Sequence, residues 1–149
     1  MKAAVISAFG DTSQFKVEEL AKPVVKEGYV LVKVIATSVN PVDCKIRSGK
    51  YGELAPAFPA VLHGDFAGII EEVGPGVTEF KVGDEVYGCA GGFKEEPGAL
   101  AEYMLADAQL IAPKPKNLTM LEAAALPLVA ITAWEALFEK INLTAKQNI

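Results

Sequence analysis

Up to about Asn117, apolar and polar positions alternate in short runs cut by turn residues, a pattern that predicts strands. "KAAVISA" (2–8) and "FKVEEL" (15–20) are the first two. "YVLVKVIATSV" (29–39), dense in Val and Ile, carries the strongest strand signal in the chain. "FAGIIEEVG" (66–74) follows and runs into Gly74-Pro75-Gly76, where glycines that tolerate positive φ flank a residue of fixed φ, so a tight turn is expected. "VGDEVYG" (82–88), entered through a Gly-Asp turn, "GALAEYMLA" (98–106) and "AQLIAPKP" (108–115) complete the set. Short strands at this spacing predict a barrel or sandwich. Neighbouring strand residues point to opposite faces, so Glu71 and Glu72 are expected to diverge on a solvated edge and not to work as a paired acid and base.

The period changes after Asn117. In "TMLEAAALPLVAITAWEALFEK" (119–140), Thr119 and Glu122 have the spacing of a capping box, which starts a helix at Thr119. Pro127 lacks an amide hydrogen and predicts a break, with a second helix over about Leu128 to Lys140. Ile131, Trp134 and Phe138 recur at helical spacing, interrupted by Glu135, and are expected in the core. The final "NLTAKQNI" (142–149) reads as a turn leading into a further strand, hence as a cut through a larger protein. The expected organisation is a domain over 1–117 and a helical connection over 118–149.

The chain has 149 residues, 51% hydrophobic and 22% charged, and its apolar stretches stop well short of the ~20 residues of a membrane span. The opening "MKAAVISAFG" is too brief and poorly flanked for a secretory signal, so a cytoplasmic protein away from membranes is expected. A net charge of −5 and an isoelectric point near 4.9, with no basic stripe, argue against nucleic acid as a partner.

Candidate metal chemistry is sparse. Cys44, Cys89 and His63, the only histidine, could in principle converge, yet zinc asks for a tetrahedral set and no knuckle spacing is present. A catalytic Cys44 would need a base that nothing in the spacing supplies, which leaves a small buried thiol as the expectation. Neither Gly74–Gly76 nor Gly88–Gly92 fits a phosphate-cradling pattern.

Three longer strings carry a resemblance: "SVNPVDCKIRSGKY" (38–51), "LHGDFAGIIEEVGPGVTEFKVGDEVYG" (62–88) and "GALAEYMLADAQLIAPKPKNLTMLEAAALPLVAITAWEAL" (98–137). Together they closely resemble the N-terminal half of the zinc-independent quinone and enone oxidoreductases of the medium-chain dehydrogenase/reductase superfamily. The resemblance implies a mainly β fold with some α: a GroES-like, partly open β-barrel carrying the substrate pocket, then helices leading to a Rossmann domain for NADPH. It also implies a small carbonyl or quinone acceptor and a possible homo-oligomer. The chain alone is expected to be inactive, and its last helices to expose apolar surface.

By the same resemblance, Asn40 stands where zinc-dependent members have a ligand cysteine, and Gly64 where they have a ligand histidine. No metal is therefore expected. Asn40 matches a pocket asparagine facing the nicotinamide ribose or the substrate, with a helix N-cap as the alternative. Asp43 matches the family's acidic residue, whose other role is to fix the first helical turn. Lys45 could stabilise charge on an acceptor oxygen, or simply face solvent. Tyr51 matches a pocket-lining tyrosine, or else covers the core. Thr132 falls where the family has a threonine near the nicotinamide, though a helical threonine can also bond its own preceding carbonyl. Arg47 and His63 could border the pocket. A zinc-dependent alcohol dehydrogenase and a non-enzymatic GroES-like interaction module are the competing readings.

Overall fold

The computed structural model describes residues 1–144. Its strands form two sheets. β1 (Lys2–Ile6) lies between β2 (Lys16–Glu19) and β4 (Ala60–Val61), antiparallel to both. The larger sheet follows the order β7 (Tyr103–Asp107), β3 (Tyr29–Thr37), β5 (Asp65–Val73), β6 (Glu85–Cys89), β8 (Ile111–Pro113), again antiparallel. An isolated bridge from Ala3 to Ala101 brings the sheets together without closing a barrel among the described residues. Every strand expected before Asn117 is present, most of them shorter than their apolar run.

β3, the most β-branched segment, lies inside the sheet, paired on both sides by β7 and β5. Val30, Leu31 and Val32 are fully buried, and Val30 and Val32 pack with Phe66, Ile70, Val86 and Met104 in the largest core cluster. The close crossing of β3 and β5 requires Gly68, where a Cβ would come within 2.3 Å of the Lys33 carbonyl oxygen. A register shift between Leu31 and Val32 leaves Glu71 without a cross-strand partner and overturns the expectation for the acidic pair. Instead of diverging, Glu71 and Glu72 both reach Lys22 Nζ, at 2.8 and 4.0 Å.

Between the sheets the chain forms α1 (Pro41–Arg47), with Asn40 at its N-cap and Pro41 at the first helical position, where a missing amide hydrogen costs nothing. Thr119 caps α2 (Met120–Ala124) through the expected box: its Oγ1 accepts from Glu122 N at 3.2 Å, and the Glu122 carboxylate accepts from Thr119 N at 2.8 Å. Pro127 begins α3 (Pro127–Trp134), and the helix then widens into π-helical turns over Glu135–Lys140, where Ile141 N donates to Ala136 O at 3.2 Å.

The helical stripe does not enter the core as its spacing suggested. α2 buries Ala123 and Ala124 against Ala36 and Ala67, but α3 buries only Pro127. Ile131, Trp134 and Phe138 are exposed, Trp134 by 61%, with the Trp134 and Phe138 rings 4.5 Å apart. Their periodicity reports an apolar face, which no element among the described residues covers. Of the expected strand after Asn142, residues 145–149 lie outside the described residues. No helix among those described is long and apolar enough to cross a membrane.

Candidate functional site

Asp65 opens β5 at the foot of the larger sheet, fully buried. Carboxylates rarely sit in such a place unless their lone pairs are occupied. Here Oδ2 accepts from Asn40 Nδ2 at 2.9 Å and from Ser38 Oγ at 3.1 Å, while Oδ1 accepts from the backbone N–H of Leu128 at 3.0 Å. One side chain thus joins the segment before α1, the large sheet and the first turn of α3.

Asn40 is 6% exposed and is both the N-cap of α1 and a partner of Asp65. Asp43, also buried, turns its carboxylate back to accept Asn40 N–H at 2.7 Å, so it fixes the first helical turn. Burial pushes its pKa up to about 6; the Asn40 N–H opposes that rise and the nearby Asp65 charge adds to it. The folded protein therefore binds this proton more tightly than the unfolded chain, whose aspartate titrates near 3.8. Between roughly pH 4 and 6 the native state holds the extra proton, and the stability it brings is lost as pH rises through about 6. Asp43→Asn keeps an acceptor oxygen for Asn40 and removes the titration. We expect it to be more stable than wild type by about 1–2 kcal/mol at pH 7, with no advantage near pH 4, by urea unfolding. Equal differences at both pH values would refute this.

Lys45 and Tyr51 form a separate pair. The Lys45 ammonium lies over the Tyr51 ring, 5.2 Å from its centroid. Tyr51 itself packs on the cluster of Ile6, Ile46, Ala60 and Leu62, the core-covering role that its sequence also allowed. Thr132 donates its hydroxyl to the Leu128 carbonyl at 2.8 Å, on an exposed turn of α3. Because Leu128 N is bound by Asp65, the turn bearing Thr132 is tied through one carboxylate to Asn40. The expected residues thus form two groups, Asn40–Asp43 with a tether to Thr132, and Lys45–Tyr51.

The sulfur and imidazole groups take other roles. Cys44 is exposed on α1, contrary to the buried thiol expected, because the buried positions of this short helix are Asp43 and Ile46. Cys89 is partly buried beside Asp65; desolvation first, and then that carboxylate, push its thiol up to about 12, which makes it a poor nucleophile. His63 is 7% exposed, with φ 72, and burial lowers its pKa against the pull of Asp65. Among the described residues no three His, Cys, Asp or Glu side chains converge as a metal site. Arg47 and His63 do border a cavity, of about 540 Å³, together with Asp43 and Cys44.

Asp65 is the residue that sequence reasoning undervalued. Its signal was a charged residue opening an otherwise apolar strand, "DFAGII".

The sequence matches the alcohol dehydrogenase GroES-like domain family over residues 26–116. It is 42% identical to a 2-methylene-furan-3-one reductase of Solanum lycopersicum, over 100% of this chain and 39% of that protein. It is also 42% identical to an NADPH-dependent alkenal/one oxidoreductase, chloroplastic, of Arabidopsis thaliana, over 92% of this chain and 37% of the other. The solved structure of the quinone oxidoreductase from Coxiella burnetii superposes with a TM-score of 0.86 at 36% identity, covering 93% of this chain and 44% of that one. The chain therefore spans about two fifths of the length of these relatives.

Proposed function

The chain belongs to the alcohol dehydrogenase GroES-like domain family, in the N-terminal half of the medium-chain dehydrogenase/reductase fold, and from that premise we propose that it is the acceptor-binding part of an NADPH-dependent oxidoreductase. The reaction is hydride transfer to an α,β-unsaturated carbonyl compound or a quinone. The observation that carries this reading is the tether from Asn40 through Asp65 to the α3 turn bearing Thr132, which brings two positions matching the family's nicotinamide-facing residues under one hydrogen-bond network. The relatives' names, alkenal/one oxidoreductase and quinone oxidoreductase, supply the acceptor class.

The side chains suit a nicotinamide. The Thr132 hydroxyl proton is engaged by the Leu128 carbonyl, so its oxygen offers lone pairs; Asn40 has one amide proton on Asp65 and is an acceptor as well as a donor. Both can hold groups that donate, such as a carboxamide NH2 or a ribose hydroxyl. NADPH supplies the hydride when bound. Lys45, whose ammonium lies over the Tyr51 ring, would stabilise the charge that gathers on the carbonyl oxygen as the β-carbon is reduced. Asp43 holds Asn40 in place through the backbone.

The reading is metal-free. It is supported by an amide at position 40 and by an Asp65 whose two oxygens are already occupied by nitrogen and hydroxyl donors. We take the dinucleotide-binding half of the enzyme to cover the apolar face of Ile131, Trp134 and Phe138. A cytoplasmic location is our reading for this chain.

The test is NADPH consumption with an alkenal and with a benzoquinone. The 149-residue chain alone is expected to show no turnover, and the chain joined to the dinucleotide-binding half of the Arabidopsis relative is expected to reduce at least one of the two. The absence of turnover from a folded, NADPH-binding fusion, or turnover only after zinc is added, would refute the proposal.

A further inference from the structure

Asp65 is a charge without a counter-charge. It is fully buried, and among the described residues it takes part in no ion pair. Its hydrogen bonds from Asn40 Nδ2, Ser38 Oγ and Leu128 N offset only part of what burying a carboxylate costs. A neutral side chain with an acceptor oxygen could tie the α1 cap to α3 at lower cost, so the charge itself calls for a use. Neighbouring groups register its field. Desolvation leads the pKa shifts of Asp43, Cys89 and His63, and the Asp65 charge acts on all three, raising each. His63, held below its ordinary value by burial, supplies no cation in return at neutral pH.

We infer that Asp65 is a positioning residue for the hydride donor: held directly behind Asn40 and against the first turn of α3, its uncompensated negative charge favours the positive charge that a nicotinamide ring gains as hydride leaves. Asn40 and Thr132 are taken, as above, to face the nicotinamide, and the role of Asp65 rests on that reading. In the enone reaction hydride carries its electron pair from the ring to the β-carbon. The ring becomes a pyridinium cation, the acceptor an enolate, and a solvent proton on the α-carbon completes the product. Lys45 serves the enolate end and Asp65 the pyridinium end, so charges of opposite sign flank the path of the electron pair. Asp65 also sets the Asn40 amide. A carboxylate offers only lone pairs, so a flipped amide would set its oxygen against Oδ2, where Nδ2 now lies at 2.9 Å. Asn40 therefore presents a single orientation to the cofactor.

The fusion to the dinucleotide-binding half of the Arabidopsis relative is titrated with NADPH, followed by its emission, and with NADP+ by competition. A merely structural Asp65 would move both affinities together, whereas a charge acting on the ring moves their ratio. Unit charges on the order of 10 Å apart, at an effective dielectric constant of about 20, alter a binding constant by about tenfold. Asp65→Asn is therefore expected to weaken NADP+ about tenfold and NADPH about twofold or less, and Asp65→Glu to keep the wild-type ratio. Ser38→Lys brings a cation to the Oδ2 side without altering Asp65, and is expected to shift the ratio in the same direction. Equal weakening of both forms by Asp65→Asn or, where that variant does not fold, an unchanged ratio in Ser38→Lys, would overturn the inference and leave the reductase reading intact. A folded wild-type fusion that binds neither form would overturn both.

Discussion

Asp65→Ala is expected to destabilise the chain by about 3–5 kcal/mol, the largest loss we anticipate from a single polar side chain. The magnitude follows from what remains behind. Removing the carboxylate leaves Asn40 Nδ2, Ser38 Oγ and Leu128 N without their acceptor, the first of them buried and the other two partly so, and it opens a void between β5 and α3. Each orphaned donor costs about 1–3 kcal/mol, partly relieved where α3 is exposed and water can enter. Asp65→Asn keeps the shape and one acceptor, but puts an NH2 against donors on one side; about half the loss is expected. Urea midpoints for wild type, Asp65→Ala, Asn40→Ala and the double variant form a cycle. A coupling between Asp65 and Asn40 below about 0.5 kcal/mol would show that the network contributes nothing beyond its parts.

In the proposed NADPH-dependent oxidoreductase, Lys45→Met is expected to lower kcat/KM for an enone by about 10- to 100-fold and to leave the KM for NADPH unchanged. A fully preorganised donor at a developing oxyanion is worth about 100- to 1000-fold, and the lower figure reflects geometry: the ammonium is only partly buried and stands 5.2 Å from the Tyr51 centroid, on a side chain with several free torsions. Methionine preserves the stem and its packing on the ring, so a loss would report on charge. Lys45→Arg should recover part of the rate. If Lys45→Met reduces enones as fast as wild type, the lysine is a surface residue and the charge is stabilised elsewhere.

Much of the fold was legible because its signals are local. The β-branched run of β3 became an interior strand of the larger sheet, Thr119 and Glu122 formed the box their spacing announced, and Pro127 began a new helix. What could not be read depends on partners distant in the chain. The bulge at Glu71 comes from the pairing of β5 with β3 and turned a divergent acidic pair into two carboxylates on Lys22. Trp134 and Phe138 follow a helical period, but a period states which face is apolar and says nothing about what lies against it.

The candidate site divides the same way. Asn40 and Asp43 could be named from the Asn-Pro cap and the acid three residues on, and both sit at the cap as that spacing requires. Asp65 is twenty-five residues from Asn40 and sixty-three from Leu128 along the chain, so its role emerges only from the folded arrangement.

The two oxygens of Asp65 point to different bodies, one to the loop before α1 and the other to the start of α3. A carboxylate is a rigid plane, so a shift of the helix cannot be absorbed within it. If α3 swings, either the Leu128 contact stretches or the plane rotates and carries the Asn40 amide along. The fold thereby contains a lever with its fulcrum in the sheet, through which a hinge motion at the far end of the molecule would be felt as a reorientation of a single amide group.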